Sequence, residues 1–197
     1  MIVVRSPLRA LGSLAAVVAL ACTAGASSMR AGEPPLFDPE TGYRLRNYQA
    51  ATPDTAPPAT RIWLDEIPRL VAAGGAILLD VSPAEGAGPD PVSGTWRLTK
   101  PRANLQGSVW LPDVGKGVLD GRMSAYLTGT LDRLTAGNKA HPIVVYCRAD
   151  CWMSWNAVKR LAAAGYTALY WFSEGTDGAR DFDFPLVPAV PVPLSPR

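Results

Sequence analysis

The stretch Ile143-Val-Val-Tyr-Cys147-Arg-Ala-Asp-Cys151-Trp152 decides the fold, because a strand pattern gives way to a helix pattern within it. Residues 143–146 form a continuous apolar, mainly β-branched run, which is typical of a buried strand. Apolar residues then recur at helical spacing from residue 157 to residue 162, and Gly165 supplies a helix stop. We therefore expect Cys147 at the carboxyl edge of a strand, in a tight loop that leads into a helix N-terminus.

This position favours a reactive cysteine. The thiolate is the nucleophilic form of cysteine, and the N–H groups and positive dipole end of a helix start stabilise it. Open α/β sheets also bind ligands at the carboxyl ends of their strands. The pattern predicts Cys147 as the reactive thiol and Cys151 as its redox partner. A permanent structural disulfide between the two residues is the alternative.

The N-terminus has the pattern of a secretory signal peptide over residues 1–26. Arg5 and Arg9 precede an apolar run that is short for a membrane span, and small-residue cleavage sites follow at Ala21 and Ala26. A retained membrane anchor or a lipoprotein at Cys22 are the alternatives. Cleavage after Ala26 predicts an exported protein with no membrane span.

Processing also changes the charge and the cysteine count. It removes two arginines and no acidic residue, so the formal net charge falls from +2 to 0, and nucleic-acid binding then has no electrostatic basis. It also leaves only Cys147 and Cys151, which an oxidising compartment would allow to pair.

The 197-residue chain, 48% hydrophobic with 19 prolines, divides into one domain with extensions. We expect a Pro-rich N-terminal arm over 27–60, a domain over 61–186 and a Pro-rich tail over 187–197. The arm either lies on the domain or is a flexible linker.

A long loop is expected over 83–107 and a turn over 173–178. Strands and helices alternate along the domain, which predicts a mostly parallel α/β sheet with helices on both faces. The expected strands are 61–64, 77–81, 108–111, 143–146 and 168–172, and the expected helices are 65–73, 123–134 and one after Cys151.

Five short segments together resemble a rhodanese domain, and they occur in the order found in that family. They are Leu78-Leu79-Asp80-Val81, Gly107-Ser-Val-Trp-Leu-Pro112, Val144-Val-Tyr-Cys147-Arg148, Leu161-Ala-Ala-Ala-Gly165-Tyr166 and Glu174-Gly175. The resemblance covers residues 61–186. It implies a rhodanese-like sheet and identifies Cys147 with the sulfur-accepting cysteine of the family.

A closer resemblance is to the exported proteins called PQQ-dependent catabolism-associated CXXCW motif proteins. It rests on the signal peptide and on Cys147…Cys151-Trp152, Trp155-Asn156, Tyr170-Trp171 and Glu174-Gly-Thr-Asp-Gly178. This resemblance implies a periplasmic protein associated with PQQ-dependent alcohol oxidation. The implied partners are a PQQ-dependent alcohol dehydrogenase or its cytochrome, together with small sulfur species.

The loop departs from the usual rhodanese pattern. Asp150 stands at the usual glycine position and Trp152 at that of an arginine, which weakens the binding of an anion such as thiosulfate. Two hypotheses follow. In the first, Cys147 and Cys151 catalyse sulfur transfer or thiol–disulfide exchange, with Arg148, Ala149, Asp150 and Trp152 as binding residues. In the second, the domain is a non-catalytic accessory module with a structural disulfide.

Other candidate sites are weaker. Two cysteines and His141 are too few for a structural zinc site, and the cysteine spacing does not fit covalent haem, so we predict neither a metal nor a cofactor. Asp80 is expected to bind loop amides rather than to act as a base. The aromatic residues near the loop are expected either in the core or as a wall for a planar quinone or a partner protein. They are Trp152, Trp155, Trp171 and Phe172.

Overall fold

The structure is a computed structural model that describes residues 34–195. The predicted signal peptide, and the arm before Pro34, lie outside the described residues. Of the described residues, 35–195 belong to one compact unit. Among the residues that the structure describes, no helix is long and apolar enough to cross a membrane.

Nine strands and four α-helices occur in the described part of the chain. The strands are β1 (Thr60–Arg61), β2 (Ile77–Asp80), β3 (Gly86–Pro89), β4 (Trp96–Leu98), β5 (Ala103–Leu105), β6 (Val109–Trp110), β7 (Ile143–Tyr146), β8 (Leu169–Phe172) and β9 (Leu186–Pro188). The helices are α1 (Ile67–Gly74), α2 (Gly121–Leu134), α3 (Trp152–Ala163) and α4 (Gly175–Asp181), and a 3₁₀ turn at Leu64–Glu66 precedes α1.

Five of these strands form a parallel sheet in the order β1-β8-β7-β2-β6. Strand β7, which Cys147 follows directly, is therefore central, between β8 and β2. This arrangement confirms the predicted α/β fold, and it is consistent with a rhodanese-like fold. Because β7 is central, its carboxyl end meets the ends of both neighbouring strands at one edge of the sheet.

The alternation of side chains along the strands produces two hydrophobic clusters, one on each face of the sheet. Val145 and Leu79 belong to one cluster, with buried residues of α2 and α3. Val144 and Leu78 belong to the other, with Ile67 of α1 and Ala179 of α4. Both faces of β7 are thus covered, as expected for a strand without a polar side.

Two predictions of irregular structure were wrong. The predicted loop 83–107 contains the antiparallel pair β3–β4 and strand β5, which pairs with β9 of the tail. The predicted turn at 173–178 becomes helix α4. Its glycines suggest a turn in the sequence, but they are required by packing. A Cβ at Gly175 would overlap the carbonyl of Cys147, and one at Gly178 would overlap the side chain of Glu174.

Helix boundaries follow ordinary capping chemistry. The predicted helix 65–73 is divided, because Asp65 lies within the 3₁₀ turn. Helix α1 begins at Ile67 with Pro68 in its first turn, where the missing N–H costs little. Gly75 ends α1 with a left-handed φ of 61°. Helix α2 begins two residues before the predicted position, because the carboxylate of Asp120 accepts a hydrogen bond from Met123 N at 2.7 Å.

The Pro-rich tail packs on the domain. Leu194 is buried, and the hydroxyl of Tyr126 on α2 donates a hydrogen bond to the carbonyl of Val192. Burial raises the pKa of Tyr126, so its hydroxyl stays protonated and remains a donor.

Candidate functional site

Cys147 and Cys151 form a disulfide at the carboxyl edge of the sheet. Strand β7 ends at Tyr146, Cys147 follows directly, and Cys151 occupies the N-cap position of α3. Their Cα atoms are 6.2 Å apart. Asp150 closes the loop with a φ of 52°, a left-handed conformation that Asp adopts more readily than most residues. The predicted strand–loop–helix geometry around the cysteines is therefore present.

The disulfide is almost completely enclosed. Cys147 is 0% exposed and Cys151 is 3% exposed. The other predicted site residues lie in the same loop and differ in burial. Arg148 and Ala149 are half-buried, Asp150 is exposed and Trp152 is buried. Their placement together follows from their adjacency in the sequence, whereas the enclosure of both sulfur atoms depends on the rest of the chain.

Ser82 lies against the sulfur of Cys147. Its hydroxyl donates a hydrogen bond to Cys147 Sγ at 3.3 Å, and the side chain is buried. Ser82 follows β2, the neighbour of β7, so the parallel register places it beside Cys147. The sequence contains a signal for this contact, since both residues come just after strands that are adjacent in the sheet, but Ser82 was not among the predicted site residues.

A buried polar network fixes the position of Ser82. The N–H of Ser82 donates to Asp80 Oδ1 at 2.9 Å, and Trp110 Nε1 donates to the carbonyl of Ser82 at 2.9 Å. Asp80 is fully buried, and Arg102 binds its two oxygens at 2.7 and 3.1 Å. As predicted, Asp80 accepts a hydrogen bond from a loop amide. Its pairing with Arg102 was not foreseen.

The N-terminal arm covers the opposite side of the disulfide loop. Ala50 N donates to the carbonyl of Asp150 at 2.9 Å, and Trp152 N donates to the carbonyl of Tyr48 at 2.8 Å. The side-chain amide of Gln49 donates to the carbonyl of Ala149 at 2.7 Å. These contacts form a short antiparallel bridge between Gln49 and Cys151. Arm residues 48–51 thus lie directly over the cysteine loop.

Two tryptophans of α3 hold the arm in place. Trp152 Nε1 donates to the carbonyl of Ala51, and Trp155 Nε1 donates to that of Thr55, both at 3.0 Å. The ring of Trp152 also packs edge-on against Phe37, with the ring centroids 5.1 Å apart. Trp171 and Phe172 are core residues, each 1% exposed. The structure therefore favours packing over an open aromatic wall for these four residues.

Asn156 fastens another part of the arm. This fully buried side chain accepts a hydrogen bond from Arg44 N and donates to the carbonyls of Arg44 and Gly115, each at 2.9 Å. The residue belongs to the Trp155-Asn156 pair that was noted in the sequence. Its role in binding backbone of the arm was not predicted.

Helix α4 closes the third side of the loop. Thr176 N donates to the carbonyl of Cys147 at 3.1 Å, and the carboxylate of Asp177 accepts a hydrogen bond from Ala149 N at 3.2 Å. Loop N–H groups at Ala149 and Trp152 are thus already bonded within the protein, to Asp177 and to Tyr48. In this conformation they are not available to an anion bound at the sulfur.

The charges around the loop are mixed. Arg148 Nε is buried without a hydrogen-bond partner among the described residues. A hydrogen bond from Lys100 lowers the pKa of Glu85, and the positive charge of Arg148 lowers it further. His141 is distant from this chemistry, because it lies at the amino end of β7, whereas Cys147 follows the carboxyl end of that strand. Within residues 34–195, no group of three or more His, Cys, Asp or Glu residues could hold a metal ion.

One cavity borders the cysteine loop and a second lies away from it, and neither is lined by a cysteine. A polar cavity of about 210 Å³ contacts Ala149 and Asp150 and is also lined by Arg61, Ser173 and Glu174. An apolar cavity of about 470 Å³ lies further away. Its lining is mainly aromatic and aliphatic, with Trp63, Leu64, Pro68, Phe172, Phe182 and Phe184. Neither cavity includes a cysteine in its lining, so a reactant must displace part of the cover to reach the disulfide.

Comparison with known proteins identifies no family for the chain. No family model and no curated protein matches it. One solved structure that resembles it is the complex of hercynine with the protein EanB, in which two cysteines are replaced by alanine. The TM-score is 0.38 and the sequence identity is 17%, over 62% of this chain and 26% of that chain. The matched part is thus about a quarter of that protein, and a likeness this distant carries no information on function.

The fold and the site together define the chain by its architecture. It is an α/β protein with a parallel sheet, consistent with a rhodanese-like fold. A disulfide between Cys147 and Cys151 stands at the central carboxyl edge of that sheet.

Proposed function

We propose that this protein is a periplasmic rhodanese-like thiol protein that performs thiol–disulfide exchange with the Cys147–Cys151 pair. The observation that carries the proposal is the position of this disulfide, directly between the central strand β7 and the N-terminus of α3. Ligands of open α/β sheets bind at that edge, and a helix N-terminus stabilises a thiolate. The cysteines of a purely structural bridge would not need this location.

Exchange is favoured over sulfur transfer by the state of the loop. A persulfide or a thiosulfate anion at Cys147 needs free N–H donors or a nearby arginine pair. Here the N–H groups of Ala149 and Trp152 are bonded to Asp177 and Tyr48. Arg148 is the one arginine of the loop, and Trp152 stands where a rhodanese has a second. Sulfur transfer therefore requires a larger rearrangement than exchange does.

The proposed reaction moves two electrons. When the protein oxidises its partner, the Cys147–Cys151 bond breaks and the two sulfur atoms become thiols. Two thiols of the partner, which is the reductant, become a disulfide. In the other direction the reduced pair breaks a disulfide of its partner and forms its own. No group other than the cysteines changes its covalent bonds, so the reaction needs no metal and no cofactor.

The association with PQQ-dependent alcohol oxidation rests on the resemblance of the sequence to the CXXCW motif proteins. The physiological partner would then be a PQQ-dependent alcohol dehydrogenase or its cytochrome, in the periplasm. The neutral charge after removal of residues 1–26 agrees with a protein partner rather than a nucleic acid.

A second candidate function is a non-catalytic accessory module with a permanent disulfide. The observation that favours it is the burial of both cysteines, since Cys147 is 0% exposed and Cys151 is 3% exposed. In that case the bridge would hold the start of α3, and with it the arm, in a form that a dehydrogenase or cytochrome binds.

A redox titration separates these functions. The mature protein is equilibrated with dithiol buffers of known potential, the free thiols are alkylated, and the intact mass is measured. We expect reversible reduction of a folded protein at a potential above about −300 mV, because structural disulfides of exported proteins generally lie below that value. A pair that stays oxidised until the protein unfolds would establish the accessory function instead.

Thiosulfate tests the remaining enzymatic route. The reduced protein is incubated with thiosulfate, and its intact mass is measured in parallel with Cys147→Ser and Cys151→Ser. We expect no added sulfur on any of the three proteins. If one sulfur atom is retained on Cys147, the function is rhodanese-type sulfur transfer rather than exchange.

A further inference from the structure

We propose that Ser82 gives the two cysteines different roles in the exchange reaction. Cys147 is the buried sulfur that leaves as a thiolate, and Cys151 is the sulfur that an external thiol attacks. Ser82 acts through Cys147 and is a positioning residue. The proposal deepens the exchange function proposed above and rests on it.

The hydroxyl of Ser82 has little freedom to point elsewhere. Both backbone groups of Ser82 are bonded, the N–H to Asp80 and the carbonyl to Trp110, each at 2.9 Å. Arg102 in turn holds Asp80 by both carboxylate oxygens. The side chain is 1% exposed, so water does not compete for its hydrogen bond to Cys147 Sγ.

This hydrogen bond strengthens when the disulfide opens. A thiolate accepts a hydrogen bond more strongly than a neutral sulfur, because ionised acceptors form the shorter and stronger bonds. Burial by itself raises the pKa of a cysteine, and a fixed donor opposes this effect by favouring the charged form. A thiol of lower pKa is the better leaving group in exchange. Ser82 therefore favours departure of Cys147.

Cys151 has the complementary surroundings. Cys151 is the slightly more exposed residue of the two, at 3% against 0% for Cys147, and its backbone pairs with that of Gln49 in the arm. It also occupies the N-cap of the twelve-residue helix α3, whose positive end stabilises a thiolate there. Cys151 is thus suited to contact the partner in both directions of the reaction.

The resulting steps balance. A thiolate of the reductant attacks Cys151 Sγ, the bond to Cys147 breaks, and Cys147 leaves as a thiolate that accepts the hydrogen bond of Ser82. A second thiolate of the reductant then attacks the mixed disulfide and releases Cys151. The reductant, a dithiol or two monothiols, loses two electrons and the disulfide gains them.

Other charged groups near Cys147 also contribute to the pH at which its thiol ionises. Arg148 and Asp150 belong to the loop itself, Asp177 faces the loop from α4, and the pair of Asp80 and Arg102 lies behind Ser82. None of these groups is altered when only the hydroxyl of Ser82 is removed. A change in the pH profile on its removal is therefore assigned to that hydroxyl.

The first test measures the ionisation of Cys147. In a Cys151→Ser background, thiolate absorbance is followed against pH for Ser82, Ser82→Ala and Ser82→Thr. We expect Ser82→Ala to raise the apparent pKa of Cys147 by about one unit, a tenfold loss of thiolate at a given pH, while Ser82→Thr retains the original value. The matched control is Ser154→Ala. Ser154 is also buried, but its hydroxyl bonds to the carbonyl of Cys151 and to Trp171 rather than to sulfur.

The second test uses the unaltered protein, so it does not depend on the folding of a variant. The oxidised protein is treated briefly with glutathione, free thiols are alkylated, and the modified peptides are mapped. We expect glutathione on Cys151 and the alkyl group on Cys147. The reverse assignment would overturn the roles proposed for the two cysteines.

The outcomes separate the two proposals. A disulfide that no thiol reduces in the folded protein overturns the exchange function and the division of roles with it. A reducible disulfide together with an unchanged pKa of Cys147 in Ser82→Ala overturns this inference alone and leaves exchange intact.

Discussion

The two sides of the disulfide are built in different ways. On the sheet side, Ser82, Asp80, Arg102 and Trp110 form a buried side-chain network between neighbouring strands. On the arm side, the cover consists of backbone hydrogen bonds at Tyr48 and Ala50 and of one hydrogen bond from the side chain of Gln49. Short covering segments open at a lower free-energy cost than core strands do. The difference indicates that the site opens at the arm and keeps its geometry at the sheet.

Breaking the sheet side should have the largest effect. Asp80→Ala leaves Arg102 without its partner and removes the acceptor for Ser82 N, so we expect the free energy of unfolding to fall by about 3 kcal/mol. Urea denaturation of the oxidised protein measures this. Glu85→Gln is the matched control, since Glu85 is an exposed carboxylate paired with Lys100, and it should cause no measurable change. Equal losses in the two variants would contradict the importance of the buried network.

Loosening the anchor of the arm should have an intermediate effect. Asn156→Ala removes the hydrogen bonds to Arg44 and Gly115, which should lower the free energy of unfolding by about 2 kcal/mol. The disulfide should also be reduced faster by dithiothreitol, because the cover is held less firmly. Asn138→Ala removes only an exposed turn contact and serves as the control. An unchanged reduction rate in Asn156→Ala would show that the arm does not limit access.

Removing one contact at the cover itself should affect access more than stability. Gln49→Ala deletes the hydrogen bond to Ala149, and we expect a loss of stability below about 1 kcal/mol. If that loss falls wholly on the opening step, reduction accelerates up to about fivefold, which stopped-flow measurement with dithiothreitol detects. Gln106→Ala is the control, since this exposed side chain is away from the loop. Identical rates in the two variants would place the opening elsewhere.

The smallest effect should come from the apolar cavity. Phe182 lines that cavity and is 78% exposed, so Phe182→Ala should change the free energy of unfolding by less than about 0.5 kcal/mol. The reduction rate should stay at the wild-type value. A changed reduction rate in this variant would show that the cavity affects access to the disulfide, so that access would not depend on the arm alone.

The parts of the fold that were predicted correctly are those determined by residues close together in the sequence. The change from strand to helix pattern around Cys147 located β7, the loop and α3, and the six predicted site residues lie together because they are consecutive or nearly so. Strand β5 was missed, since Pro and Gly surround it and its partner β9 lies far along the chain, with Ala103 opposite Pro188. Its formation depends on that distant pairing.

The enclosure of the site was missed for a related reason. The arm binds mainly through backbone carbonyl and N–H groups at Tyr48, Ala50 and Ala51, which any residue could supply. Side chains at those positions therefore carry no signature of the contact. Ser82 is different, because the parallel sheet brings the ends of β2 and β7 to one edge. Reading the residues after Asp80 and after Tyr146 together would have identified it.

The distance along the chain between the arm and the loop also sets an order of events during synthesis. Gln49 and its acceptor Ala149 are separated by 100 positions, whereas Cys147 and Cys151 are separated by 4. The arm is made long before the surface it covers exists. In an oxidising compartment the cysteines can pair within their own short segment, and the covering contacts follow once α3 has formed. The finished protein then encloses a disulfide whose cysteines were accessible before the arm and α3 came together.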